Sequence, residues 1–266
     1  MYLGMDGTGV PMRTSEVAGR AGKQPDGSAK TREAKVVTGW TAESRDEEGK
    51  PMRDPGSITY SAGIESAAAP DTGLKRSDLA ERVLREATRR GFTEAPRCAV
   101  LGDGSAWIWN TAAELFPQAI QIQILDRFHV KQTLHRTAQS IFGATSDDAK
   151  EWATMRCAEL DDGKLQAIVH ALRPHTSCAE AAKCMMYIFR NRARLRYPKS
   201  HALGLCTSTG VLEAGCKVLI GTRLKRSGTH WSVSGANNII ALRCSKLSGR
   251  FEDFWERRSI PIKVAA

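Results

Sequence analysis

The sequence contains no apolar run long enough to cross a bilayer, and its N-terminus lacks the pattern of a signal peptide. Neither a spanning helix nor a secretory leader is expected, and the chain reads as a soluble, cytoplasmic protein with no membrane partner. Cys-x-x-Cys pairs are missing as well. The seven cysteines, Cys98, Cys157, Cys178, Cys184, Cys206, Cys216 and Cys244, form an odd, scattered set. That set argues against a disulfide framework or a zinc site and fits reduced intracellular thiols. Acid is in short supply: 29 Asp and Glu stand against 39 Lys and Arg, for a formal charge of +10. Such a balance favours a polyanionic partner, nucleic acid before membrane. The excess is uneven, with ten Lys/Arg against four Asp/Glu between Gly210 and Ala266. At 266 residues the chain can bury a sizeable core, and one domain with an insertion fits as well as two.

What is present is organised around Leu101 to Asn110. Cys98-Ala99-Val100-Leu101 is apolar without alternation, as in a strand covered on both faces, and Gly102 and Gly104 bracket Asp103 with residues that permit tight turns. A carboxylate is thereby presented at the C-terminal tip of a buried parallel strand, where open α/β sheets place their ligands. A turn aspartate that caps the following helix is the plainer possibility. Met1 to Met5 reads as a second short strand that delivers Asp6 beside Gly7-Thr8-Gly9 and so repeats this arrangement.

The order of elements is legible. Residues 11 to 35 are polar, glycine-punctuated and basic, and read as a mobile loop. Val36 to Thr41 and Ser57 to Ser61 are β-rich runs separated by a charged turn region, as in an antiparallel hairpin. The spacing of Leu79, Val83 and Ala87 predicts a helix from Ser77 to Arg90, capped by Ser77 and stopped by Gly91. A strand at 98–101, a helix at 105–115 closed by Pro117, and the alternating run Ile120 to Ile124, expected near a sheet edge, follow. Strand, strand, strand, helix, strand, helix, strand is the order of a ribonuclease H-like core. The fold expected is α/β, a mixed five-stranded sheet with flanking helices, in which Asp6 and Asp103 occupy adjacent strands.

Such a core ends on a helix that carries a third acid, and two candidates exist. Asp126 opens a helix and is followed at one turn by His129, although Asp126 could simply cap that helix. Glu213 lies in Gly210-Val211-Leu212-Glu213-Ala214-Gly215-Cys216-Lys217, in the early turns of a helix that Ser208 and Thr209 can cap. Between these candidates the chain is helical, broken at Gly163 and Pro174, with a helix from Ala179 to Leu195 that ends in Arg190, Arg192, Arg194, Arg196 and Lys199. The organisation expected is a core over 1–126, an all-α insertion over 127–206, and basic C-terminal helices over 207–266 that complete the core. The arginines from 190 to 196, with Lys217, Arg223, Lys225, Arg226, Arg243 and Lys246, are the candidate phosphate contacts. Trp231 and Trp255 are expected in the core before they are expected as base-stacking platforms.

Several stretches together resemble a known family. Met5 to Pro11 (MDGTGVP), Asp26 to Glu33 (DGSAKTRE), Gly102 to Asn110 (GDGSAWIWN), Gly210 to Lys217 (GVLEAGCK) and Trp231 to Trp255 resemble bacterial insertion-sequence transposases of the ISKra group, over nearly the whole chain. That resemblance implies membership of the DDE superfamily, with Asp6, Asp103 and Glu213 as its three acids and metal ligands. Asp126-x-x-His129 is similar to the (Cys/Asp)-x-x-His signature of Mutator-like relatives, which implies a supporting role for Asp126 and His129. The resemblance also implies a chain without the longer N-terminal DNA-recognition region of the family, acting in the bacterial nucleoid.

Three acids suit hard cations. Two Mg²⁺ or Mn²⁺ ions about 4 Å apart can clamp the attacking and leaving oxygens of an in-line phosphoryl displacement. The activity implied is metal-dependent cleavage of double-stranded DNA at a transposon end by water, followed by attack of the freed 3′-hydroxyl on target DNA, carried out by a homo-oligomer. Three other classes stay open: a structure-specific nuclease that cuts without joining, a non-catalytic DNA-binding remnant, and an actin-like or sugar-kinase-like ATPase. In the last case Asp6-Gly7-Thr8-Gly9 has its glycine one place earlier than an Asp-x-Gly-Thr phosphate loop.

Overall fold

The computed structural model describes residues 1–67, 76–117, 122–208 and 210–259. Its strands are β1 (Tyr2–Pro11), β2 (Thr31–Trp40), β3 (Thr59–Gly63), β4 (Ala99–Gly102) and β5 (Ile122–Leu125), joined in one sheet of order β3-β2-β1-β4-β5. β2 and β3 form the antiparallel hairpin, with Val37 opposite Ser61, and β4 and β5 are parallel, with Gly102 opposite Leu125. Helices α1 (Thr14–Val17), α2 (Asp78–Arg89) and α3 (Ala106–Leu115) lie between the strands in sequence. After β5 come α4 (Arg127–Phe142), α5 (Asp147–Asp161), α6 (Leu165–Leu172), α7 (Ala179–Asn191), α8 (Tyr197–Ala202), α9 (Gly210–Cys216), α10 (Thr222–Leu224), α11 (Val233–Leu247) and α12 (Phe251–Ser259). A hairpin leading into parallel strands, in this order and with these helices, is the ribonuclease H-like fold.

The chain divides into two compact units. One comprises Met1–Gly4, Ala42–Asp54 and Ala95–Val211; the other comprises Met5–Thr41, Pro55–Glu94 and Leu212–Ala266. In the first unit β4 and β5 are buried through Val100, Leu101, Ile124 and Leu125, and α4 to α8 follow. Arg127 and Lys131 on α4 both bond Asp161 at the end of α5, which ties the first two of these helices together. In the second unit Val10, Ala34, Val36, Tyr60 and Ala62 from the strands pack with Leu219, Ile220, Leu224, Ala236, Ile240 and Cys244. β3 is an edge strand, and two N–H groups there that would otherwise invite another strand are taken up by side chains. Tyr60 N–H donates to Ser248 Oγ at 2.8 Å, and Ile64 N–H, just past the strand, donates to Asn237 Oδ1 at 2.7 Å.

The structure departs from the sequence expectations in three places. β1 does not stop at Met5 but continues through Asp6, Gly7, Thr8 and Gly9 to Pro11. The glycines fit a strand in close approach rather than a turn: a Cβ on Gly7 would meet the Glu33 side chain, and one on Gly9 would lie 3.0 Å from Thr31 Oγ1. β2 correspondingly starts at Thr31, inside the stretch expected to be a mobile loop, because Arg32, Glu33 and Lys35 take strand positions. Trp255 is exposed and packs edge-on against Phe251 in α12, whereas Trp231 is half-buried and donates its indole N–H to Leu224 O at 3.1 Å. Thr209, Ile120 and Gln121, and most of the link from Ala67 to Leu74, lie outside the described residues.

Candidate active site

In the first unit the parallel register sets two aspartates side by side. Because Gly102 is opposite Leu125, the residues that follow, Asp103 and Asp126, leave neighbouring strand ends together, and Asp126 N–H donates to Gly102 O at 2.8 Å. Asp103 Oδ1 accepts the Ser105 N–H at 2.8 Å, which folds the carboxylate onto the start of α3. Asp126 is buried and caps α4 by accepting the Phe128 N–H at 2.9 Å. The capping expected of Asp126 is thus present, and His129 Nε2 stands 3.7 Å from Asp126 Oδ2, beyond a hydrogen bond. Tyr187, on α7, joins the pair from outside: its hydroxyl donates to Asp103 O at 2.8 Å. Burial pushes this phenol well up, and the carboxylates of Asp103 and Asp126 push it further in the same direction. It therefore remains a donor throughout the neutral range. Gly104 is left-handed at φ +97°, and its α-carbon faces the Tyr187 ring so closely that a Cβ would sit 2.7 Å from Cε2.

In the second unit Asp6 is half-buried in the middle of β1. Its Oδ1 accepts the Gly7 N–H at 2.7 Å, and its Oδ2 accepts the Cys216 thiol at 3.2 Å. Cys216 is the last residue of α9, and Glu213 lies three positions earlier, on the same helical face. The helix that carries the candidate third acid therefore reaches Asp6 through its own side chain, while Glu213 itself is exposed. Two residues along β1, Thr8 Oγ1 accepts a bond from Lys225 at 2.5 Å. Sequence reasoning missed Cys216 and Tyr187. Cys216 was recoverable from its i+3 spacing to Glu213; Tyr187 has no local signal.

The candidate phosphate contacts fall into two sets. In the first unit Arg190, Arg192, Arg194, Arg196 and Lys199 line a groove of about 1080 Å³ that has no acid among its described lining residues. Arg190 and Arg194 also line an adjoining cavity of about 690 Å³, bounded by Gly104, Asn110 and Tyr187, so that basic surface continues to the Asp103 turn. Arg194 lies 4.3 Å over the Trp109 ring and bonds Gln123 at 2.7 Å, and Arg192 lies 4.7 Å over Phe189. In the second unit Lys217 and Lys246 are exposed, Arg223 stands over Trp231, and Arg226 bonds Thr222 O at 2.8 Å. Arg243 is turned inward onto backbone carbonyls.

Among the described residues no group of three or more His, Cys, Asp and Glu is gathered closely enough to hold a metal ion. The donor chemistry of Asp6, Asp103 and Glu213, all oxygen, nonetheless suits a hard divalent cation such as Mg²⁺. No helix among the described residues is long and apolar enough to cross a membrane. No family model and no curated protein matches the chain. Among solved structures it is similar to the Drosophila P element transposase in its strand transfer complex, at 12% identity and a TM-score of 0.25, over 97% of this chain and 66% of that one.

Proposed function

We propose that the protein is a DDE-type transposase of the kind found in the ISKra group of insertion sequences, which cleaves DNA at an element end and joins it to a target. The observation that carries this proposal is the placement of acids on a ribonuclease H-like sheet: Asp6 within β1, Asp103 directly after β4, and Glu213 on the helix whose Cys216 bonds Asp6. Asp6, Asp103 and Glu213 are the residues that would hold Mg²⁺ or Mn²⁺, which supplies charge neutralisation and orientation at the scissile phosphate when bound. The chain's own contribution is positional. Backbone N–H groups of Gly7 and Ser105 hold the two aspartates, and Tyr187 holds the Asp103 turn. Asp126, beside Asp103 and locked by its cap, supports that turn from β5. The acid-free groove of Arg190, Arg192, Arg194, Arg196 and Lys199 takes the DNA backbone and brings it along to Gly104.

The test is Asp103→Asn, assayed on DNA duplexes with Mg²⁺ or Mn²⁺. Cleavage and joining are expected to vanish while DNA binding stays within about twofold of the parent. A variant that still cuts would overturn the assignment, and a parent protein that cuts but never joins would make the chain a nuclease.

A further inference from the structure

The helix that bears Glu213 is not a regular α-helix. Between α9 and α10, Lys217–Gly221 forms a π-turn, a one-residue widening of the helix. The hydrogen bonds show where the extra residue is absorbed. In an α-helix the Thr222 N–H would donate to Val218 O; here it reaches back five positions to Lys217 O. Val218 O is thereby passed over by its normal donor. Two side chains take it up: Thr222 Oγ1 donates to it at 2.6 Å, and the Arg243 guanidinium donates to it through Nη2. Arg243, reaching across from α11, also donates from Nε to Leu219 O at 2.7 Å and bonds Thr222 Oγ1 at 2.8 Å. Leu219 and Ile220 are fully buried in the same turn, and the Arg243–Leu219 bond is partly buried, whereas Val218 and the bonds to its carbonyl lie at the surface.

We infer that Arg243 is a positioning residue: it holds Lys217–Gly221 in the π register and so keeps Cys216, at the end of the helix that carries Glu213, against Asp6. Each residue of an α-helix turns the chain by about 100°. If the π-turn collapsed to α geometry with α10 held in the core, α9 would rotate by about that angle, and the Cys216 thiol would leave Asp6. Arg243 is therefore employed on backbone rather than offered to a ligand. Its catalytic meaning rests on the transposase function proposed above; its structural meaning does not.

The experiment separates the two. Deleting Val218, an exposed member of the π-turn, removes the extra residue and lets the helix run as α with both flanking segments in their present orientation. In Arg243→Ala, alkylation of Cys216, mapped by mass spectrometry in the folded full-length protein, is expected to accelerate about tenfold as the helix slips and its buried thiol opens. In the Val218 deletion the same Arg243→Ala change is expected to have no further effect, because no carbonyl is left over. Arg243→Lys, which can reach one carbonyl but not three acceptors, falls between. Metal-dependent cleavage by Arg243→Ala is expected to fall in kcat with DNA affinity unchanged. Equal Cys216 reactivity in parent and Arg243→Ala overturns the inference, as does an Arg243→Ala penalty that persists undiminished in the deletion background. Weaker DNA binding with Cys216 unchanged would make Arg243 a phosphate contact instead. If the reactivity pattern holds while no version of the protein cuts DNA, Arg243 positions α9 and the transposase proposal fails.

Discussion

Replacing Gly104 by alanine tests how tightly the Asp103 turn is built. Two separate costs arise. The residue sits at φ +97°, where an L side chain carries about 1–2 kcal/mol of strain. The added methyl would also lie 2.7 Å from Tyr187 Cε2 and 3.0 Å from Leu125 Cδ1, both in packed surroundings, and overpacking of that kind costs about 1–3 kcal/mol. The sum is about 2–5 kcal/mol. For a urea slope of about 2 kcal/mol per M, the unfolding midpoint followed by tryptophan fluorescence should fall by about 1–2.5 M. Repeating the change in a Tyr187→Ala background removes the aromatic contact but leaves the backbone strain and the Leu125 contact. Gly104→Ala should then cost less than in the parent, and the difference between the two backgrounds is the coupling between turn and ring. A midpoint that moves by less than about 0.3 M in the parent background would refute this account of the turn.

Other outcomes follow from the same geometry. Tyr187→Phe keeps the ring and removes the hydroxyl that bonds Asp103 O; a stability loss of about 1 kcal/mol and slower cleavage at unchanged DNA affinity are expected, from denaturation and single-turnover assays. Glu86, buried on α2, has its pKa raised by burial, but bonds from Arg250 at 2.8 and 2.9 Å and from Thr59 at 2.6 Å outweigh this and leave it below the ordinary glutamate value. A depressed carboxyl contributes stability that is complete above its unfolded value and is lost as pH falls through the folded one. The parent should therefore lose stability on acidification below about pH 4, more steeply than Glu86→Gln does. Arg250→Ala, which strands the buried carboxylate, should cost about 3–5 kcal/mol at neutral pH by calorimetry. Reversing charge at Arg190 and Lys199 together should weaken DNA binding and flatten the plot of log affinity against log salt, by about 0.9 for each phosphate that is no longer neutralised. A slope that does not change would remove the groove from the DNA path.

Legibility in the sequence followed the physics of each segment. The tip of β4 was readable because its signals are local: an unbroken apolar run for a strand covered on both faces, and glycines around Asp103, one of them in a left-handed conformation only glycine adopts easily. α2 was readable to within a residue because Ser77 does cap it, by accepting the Ala80 N–H, and Leu79, Val83 and Ala87 are its buried face. The second half of β1 was hidden because Gly7 and Gly9 have low strand preference taken singly. What holds them extended is pairing with β2, whose own strand character is disguised by Arg32 and Lys35. The π-turn was hidden for the opposite reason. Nothing in Val218-Leu219-Ile220 marks a widened turn, and the donor that stabilises it lies 24 residues from Leu219. Arg243 accordingly read as a candidate phosphate contact.

The Asp103 and Asp126 carboxylates also differ from acids on a flexible surface in when their freedom is lost. Each is fixed by a backbone N–H at the start of a helix, Ser105 for one and Phe128 for the other, and the positive ends of α3 and α4 favour both charges. Their rotamers are thus chosen when the chain folds. A ligand arriving at this corner meets oxygens already oriented, so the entropy of ordering them is charged to folding rather than subtracted from affinity.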